Sequence, residues 1–120
     1  MRTMGILVFL LTLGNILTNC GGAHARLSAD LVDASAAGDT AEVSRLLDAG
    51  AIVDVHARDD WTPLTIASRE GHADVVQLLV KRGASVNLVE VGGHTALFWA
   101  RKYAHSDVEK ILLDAGAQYK

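Results

Sequence analysis

Five histidines, His24, His56, His72, His94 and His105, are the side chains of this 120-residue chain best suited to metal binding or proton transfer. Helical metal motifs need ligands one turn apart, and no two of these histidines lie four residues from one another. His72 and His105 stand 33 residues apart in matching surroundings, which favours a structural task for both. There is no nucleophile motif, no glycine-rich loop between a strand and a helix, and no close carboxylate pair with a pocket to hold it. Gly92-Gly93 suits a turn for backbone reasons and is weak evidence for phosphate binding. The residues therefore predict no catalytic site, no metal and no cofactor.

The bulk properties bound what remains. Half of the residues are hydrophobic, 21% are charged and 5% are aromatic, the balance of one globular domain. One proline and 11 glycines exclude collagen-like and proline-rich linker classes. Eleven basic residues against 14 acidic ones give a net charge of −3, which argues against a nucleic-acid partner. The single cysteine, Cys20, cannot form an internal disulfide.

Residues 1–25 are set apart by composition. Arg2 is the only charge before Arg26, and residues 6–13 read Ile-Leu-Val-Phe-Leu-Leu-Thr-Leu. A short positive end, an apolar run and then small residues form the layout of a secretory signal peptide. The run is shorter than the ~20 apolar residues that span a bilayer, and it lacks the spaced polar positions of a helix packed on a domain. Ala23-His24-Ala25 offers a cleavage site that would leave a soluble chain starting at Arg26. Leu17-Thr18-Asn19-Cys20 resembles a bacterial lipoprotein box, in which the cut precedes Cys20 and its sulfur carries a lipid, although Asn19 departs from the usual small residue. Both readings predict export: periplasmic or secreted in the first, membrane-anchored through Cys20 in the second. Either cut removes Arg2 and no acid, so the mature chain is the more acidic.

The rest of the chain repeats itself. Gly50-Ala51, Gly83-Ala84 and Gly116-Ala117 recur at steps of 33 residues, as do Leu31, Leu64 and Leu97, and Ala34, Ala67 and Ala100. Such self-similarity predicts stacked supersecondary units. In the middle unit Thr62 caps a short helix with Pro63 at its first position, and Gly71 ends it with positive φ. Val75, Val76, Leu78 and Leu79 give a second helix its apolar stripe, and Gly83 closes that helix. Asp39-Thr40-Ala41-Glu42 reads as a capping box before the second helix of the first unit.

These motifs resemble the ankyrin repeat family. Thr62-Pro63-Leu64-Thr65-Ile66-Ala67 looks like the signature T-P-L-H-x-A with Thr65 in place of His, and Gly71-His72, Gly83-Ala84 and Val86-Asn87 fit the remaining pattern. The resemblance covers residues 27–120 as copies at about 27–56, 57–89 and 90–120. Copy three departs from it at Ala96, Phe98 and Ala104, the last replacing the helix-ending glycine. It implies an all-α solenoid of three helix–turn–helix units with extended turns as fingers, and a non-catalytic protein–protein interaction module.

By the same resemblance, the partner-binding positions are Arg58, Asp59, Trp61, Arg69 and Glu70 in copy two, and Val91, His94, Lys102 and Tyr103 in copy three. Trp61 either contacts a partner or braces the neighbouring turn, whereas Phe98 and Trp99 are expected in the core. The last helix, around Val108, Ile111, Leu112 and Leu113, has no following copy on its outer face, which raises self-association as an expectation.

Overall fold

A computed structural model describes residues 26–118. The expected signal segment, with Cys20 and His24, lies outside the described residues. The described chain is helical from 26 to 37 (α1), followed by α2 Thr40–Asp48, α3 Pro63–Glu70, α4 Ala73–Lys81, α5 Ala96–Lys102 and α6 Ser106–Asp114. The α1/α2, α3/α4 and α5/α6 pairs are three helix–turn–helix units. No strand occurs among the described residues; the nearest approach is one antiparallel bridge between Val89 and Thr95 at the base of the last finger.

Each helix starts and stops where local chemistry dictates. Thr62 Oγ1 accepts the Thr65 N–H at 3.2 Å, and Thr95 Oγ1 accepts the Phe98 N–H at 3.3 Å, satisfying donors that the first turn leaves without partners. Thr65, standing where the resemblance has His, closes the same cap by pairing its hydroxyl with that of Thr62 at 2.9 Å. The capping box of α2 is half formed. Asp39 accepts the Glu42 N–H at 3.1 Å, but the Glu42 carboxylate turns forward to Arg45 instead of back to Asp39.

The recurring Gly-Ala pair is a helix stop. In copy two the Gly83 N–H returns to the Val80 carbonyl and the Ala84 N–H to that of Leu79, both at 3.0 Å, with Gly83 at φ 91°. The same two bonds recur at Gly50-Ala51 and Gly116-Ala117. This closure needs a left-handed residue at its first position, which glycine adopts at least cost.

One continuous core links the copies. Leu31, Leu64 and Leu97 on the first helices, and Leu46, Leu79 and Leu112 on the second, are at most 1% exposed. Each such side chain contributes roughly 1.5–3 kcal/mol on burial. Ala34, Ala67 and Ala100 lie beside them, small enough for the helices to approach closely.

Polar links tie successive copies at the same step of 33. The His72 ring seats on Gly38 of the preceding copy and Nε2 meets the Ala36 carbonyl at 2.9 Å; His105 repeats this on Gly71, reaching the Arg69 carbonyl at 3.0 Å. Asp54 accepts from the Ser85 N–H at 2.9 Å, and Asn87 from the Gln118 N–H at 3.0 Å. At the third inter-helix turn Ala104 holds the left-handed conformation at φ 58° without glycine's freedom.

α6 turns its apolar stripe inward. Val108 and Leu112 are fully buried against their own stack, and Leu113, at 37% exposed, is the large apolar side chain that α6 turns outward. Spacing of four residues aims Val108 and Leu112 together at the core, so the stripe is not the outer face.

Candidate protein-interaction surface

The fingers and first helices of copies two and three meet along one edge of the stack. A 3-10 turn at Arg58–Asp60 forms the tip of the finger in copy two, where Asp59 and Asp60 take positive φ at 61° and 62°. At the equivalent positions copy three has Gly92 and Gly93, with Gly93 at φ 81°. The two fingers touch through the Val91 N–H, which donates to the Asp59 carbonyl at 3.0 Å.

Glu90 shapes the last finger. It is 8% exposed, and its carboxylate accepts the Gly92 N–H at 2.6 Å, the His94 N–H at 3.0 Å and pairs with His94 Nδ1 at 2.7 Å. Burial pushes this carboxyl up, but the donors from Gly92 and His94 outweigh it and hold it below the usual carboxylate range. The N–H of Gly92 thus already faces an internal anion. Neither Glu90 nor Asp54 stood out in the sequence, since what each does depends on a fold-back or on a partner 31 residues away.

On this framework sits a cluster holding every Phe, Trp and Tyr among the described residues: Trp61, Phe98, Trp99 and Tyr103. Trp61 and Trp99 lie 5.0 Å apart between ring centres, and Trp99 stacks on Tyr103 at 6.1 Å with planes 12° apart. Phe98 meets Trp99 edge-on at 5.3 Å, and His94 stacks on Phe98 at 4.0 Å. Lys102 Nζ lies 5.1 Å from the centre of Trp99, and the Arg69 guanidinium lies 5.5 Å from that of Trp61. Such ring pairs contribute ~0.5–1.5 kcal/mol each beyond area burial, so the cluster also fastens copy two to copy three.

The expectation for Phe98 and Trp99 is corrected here. Both are half-buried and neither joins the core, because Ala96, Leu97 and Ala100 already fill the buried face of α5. The two rings fall on its flank, towards the fingers. Trp61 lies against Trp99 as a brace between copies while remaining half-buried.

The other positions fall around this cluster. Arg58, Asp59, Arg69, Glu70 and Lys102 are exposed, with Arg69 and Glu70 3.7 Å apart, and Val91 and Tyr103 are 71% and 47% exposed. Trp61, Arg69, His94, Lys102 and Tyr103 therefore belong to one patch. Val91 stands beside it on the last finger, and Arg58, Asp59 and Glu70 are at its margin.

Metal-ligating side chains elsewhere among the described residues are dispersed. No group of three or more His, Cys, Asp or Glu converges there in a way that could hold a metal. A cleft of about 340 Å³ at the inter-helix turns is lined by Gly38, Gly71, His72, Asp74 and Asp107. The His72 ring is committed to Ala36, and Asp107 accepts the neighbouring Val108 N–H at 2.9 Å.

No curated protein matches the chain. The family model described as ankyrin repeats, in three copies, matches residues 31–120, and the 33-residue units stacked through one core are those of that match. The chain belongs to the ankyrin repeat family and has the architecture of a protein–protein interaction module.

Proposed function

We propose that the chain is an exported, non-catalytic interaction module that grips a partner protein with the aromatic face of copies two and three. The observation that carries this reading is the placement of Trp61, Phe98, Trp99 and Tyr103 in one partly exposed cluster beside the exposed Val91. Aromatic side chains and Arg dominate binding energy at protein interfaces, because they bury much area at little entropic cost. The core does not need these rings, since leucine, valine and alanine fill it.

Capture from extracts of the producing cells, with wild type beside Val91→Ser and Tyr103→Ala, tests this. Both changes are at exposed positions and leave the core intact. A partner held by wild type and lost by both variants supports the reading. A partner held equally by all three contradicts it.

Export rests on the apolar run 6–13 and on the two cleavage motifs. The periplasm is the favoured destination; secretion, or a lipid anchor on Cys20, is the alternative. The mature protein's intact mass separates a start at Arg26 from a lipid-bearing Cys20, and an uncut mass contradicts export. A second role fits the same surface: protection of a periplasmic enzyme or envelope component. In that case the partner's half-life or activity falls when the chain is deleted, whereas simple tethering leaves both unchanged.

A further inference from the structure

Both cations of the aromatic face lie over rings, and one of them, Arg69, also pairs with an acid, Glu70. Lys102 Nζ lies 5.1 Å from the centre of Trp99 and 6.0 Å from those of Phe98 and Tyr103, and it forms no ion pair among the described residues. Arg69 covers Trp61 at 5.5 Å and pairs with the Glu70 carboxylate at 3.7 Å. Glu90, the acid bonded to His94 of the patch, is buried and held by Gly92 and His94 inside the finger. Asp59 and Asp60 are at the neighbouring finger tip, where Asp60 faces His56 at 3.7 Å. A chain of net charge −3 therefore presents, at its most aromatic place, rings topped by an ammonium that has no counter-ion among the described residues.

From this we infer that the occupant is an acidic segment of the partner protein, with carboxylates flanking an aromatic or aliphatic side chain. The inference rests on the reading above that this face binds a partner. A carboxylate brought to Lys102 gains an ion pair on apolar ring surface, where water screens it less than in the open, and the apolar neighbour lies against Tyr103 and Val91. A basic segment meets Lys102 and Arg69 head-on and competes with them for the same ring faces.

A random peptide library selected on the full chain tests the inference. Expected are peptides rich in Asp and Glu beside aromatic or aliphatic residues. Their binding should weaken with salt, fall about tenfold in Lys102→Glu and survive Lys102→Arg. Peptides that lose binding in Val91→Ser and Tyr103→Ala but are neutral or basic overturn the acidic preference and leave the binding face standing. Acidic peptides indifferent to Lys102→Glu overturn it equally. Peptides insensitive to every substitution on the face overturn both readings.

Discussion

Gly71→Ala is the sharpest probe of how the copies are joined. Gly71 has φ 81°, and a Cβ built there would lie 2.5 Å from His105 Cε1 and 2.6 Å from its Nδ1. An alanine in this left-handed conformation costs about 1–2 kcal/mol by itself. The ring must also leave its seat, breaking the bond between Nε2 and the Arg69 carbonyl, a further loss of about 0.5–1.5 kcal/mol. The sum is about 1.5–3.5 kcal/mol. Each kcal/mol moves the midpoint of thermal unfolding by about 4–8 °C in a domain of 60–100 residues. In a His105→Ala background only the backbone strain remains, so Gly71→Ala should then cost about 1 kcal/mol less. Urea unfolding of the four proteins of this cycle measures the difference. Equal costs in both backgrounds would refute the seating of His105 on Gly71.

Three further outcomes follow from the same geometry. Ala104 adopts φ 58° with its side chain exposed, so Ala104→Gly should stabilise by about 1 kcal/mol in thermal unfolding. Ser35 and Ser68 are both fully buried, but the Ser35 hydroxyl donates to the Leu31 carbonyl at 2.7 Å while that of Ser68 has no partner among the described residues. Ser35→Ala should therefore cost about 1 kcal/mol, whereas Ser68→Ala should be neutral or stabilising in the same denaturation assay. Glu90 titrates below the usual carboxylate range, so its contribution is full above the ordinary value of about 4.3 and disappears as pH falls through its lower folded value. Glu90→Gln should cost about 1–3 kcal/mol at pH 7. The gap to wild type should close as pH falls below the ordinary carboxylate value and through the lower folded one, when unfolding is followed as a function of pH.

The stack was legible in the sequence because its signals are obligatory. Gly83 and Gly71 must be left-handed, Thr62 must cap, and Leu31, Leu64 and Leu97 must fill one interior, so the residue types recur with the fold. The face was legible only residue by residue. Trp61, His94, Lys102 and Tyr103 stood out singly, but their convergence with Phe98 and Trp99 did not. A seven-residue helix such as α5 has too few turns for periodicity to separate its buried face from the flank turned towards the fingers. Asp54 left only a faint mark, the matching Asn87 one period on. Glu90 left none beyond the two glycines that follow it, since a carboxylate folding back into its own turn has no periodic signature.

Site-specific photo-cross-linking in the producing cells most directly tests where the partner sits. A benzophenone side chain at position 91 or 103 places the reactive group on the aromatic face; at positions 77 and 110, exposed on α4 and α6, it samples the second helices. A partner joined from 91 and 103 and not from 77 and 110 is the predicted result. A partner joined only from 77 or 110 would contradict the assignment of the binding face.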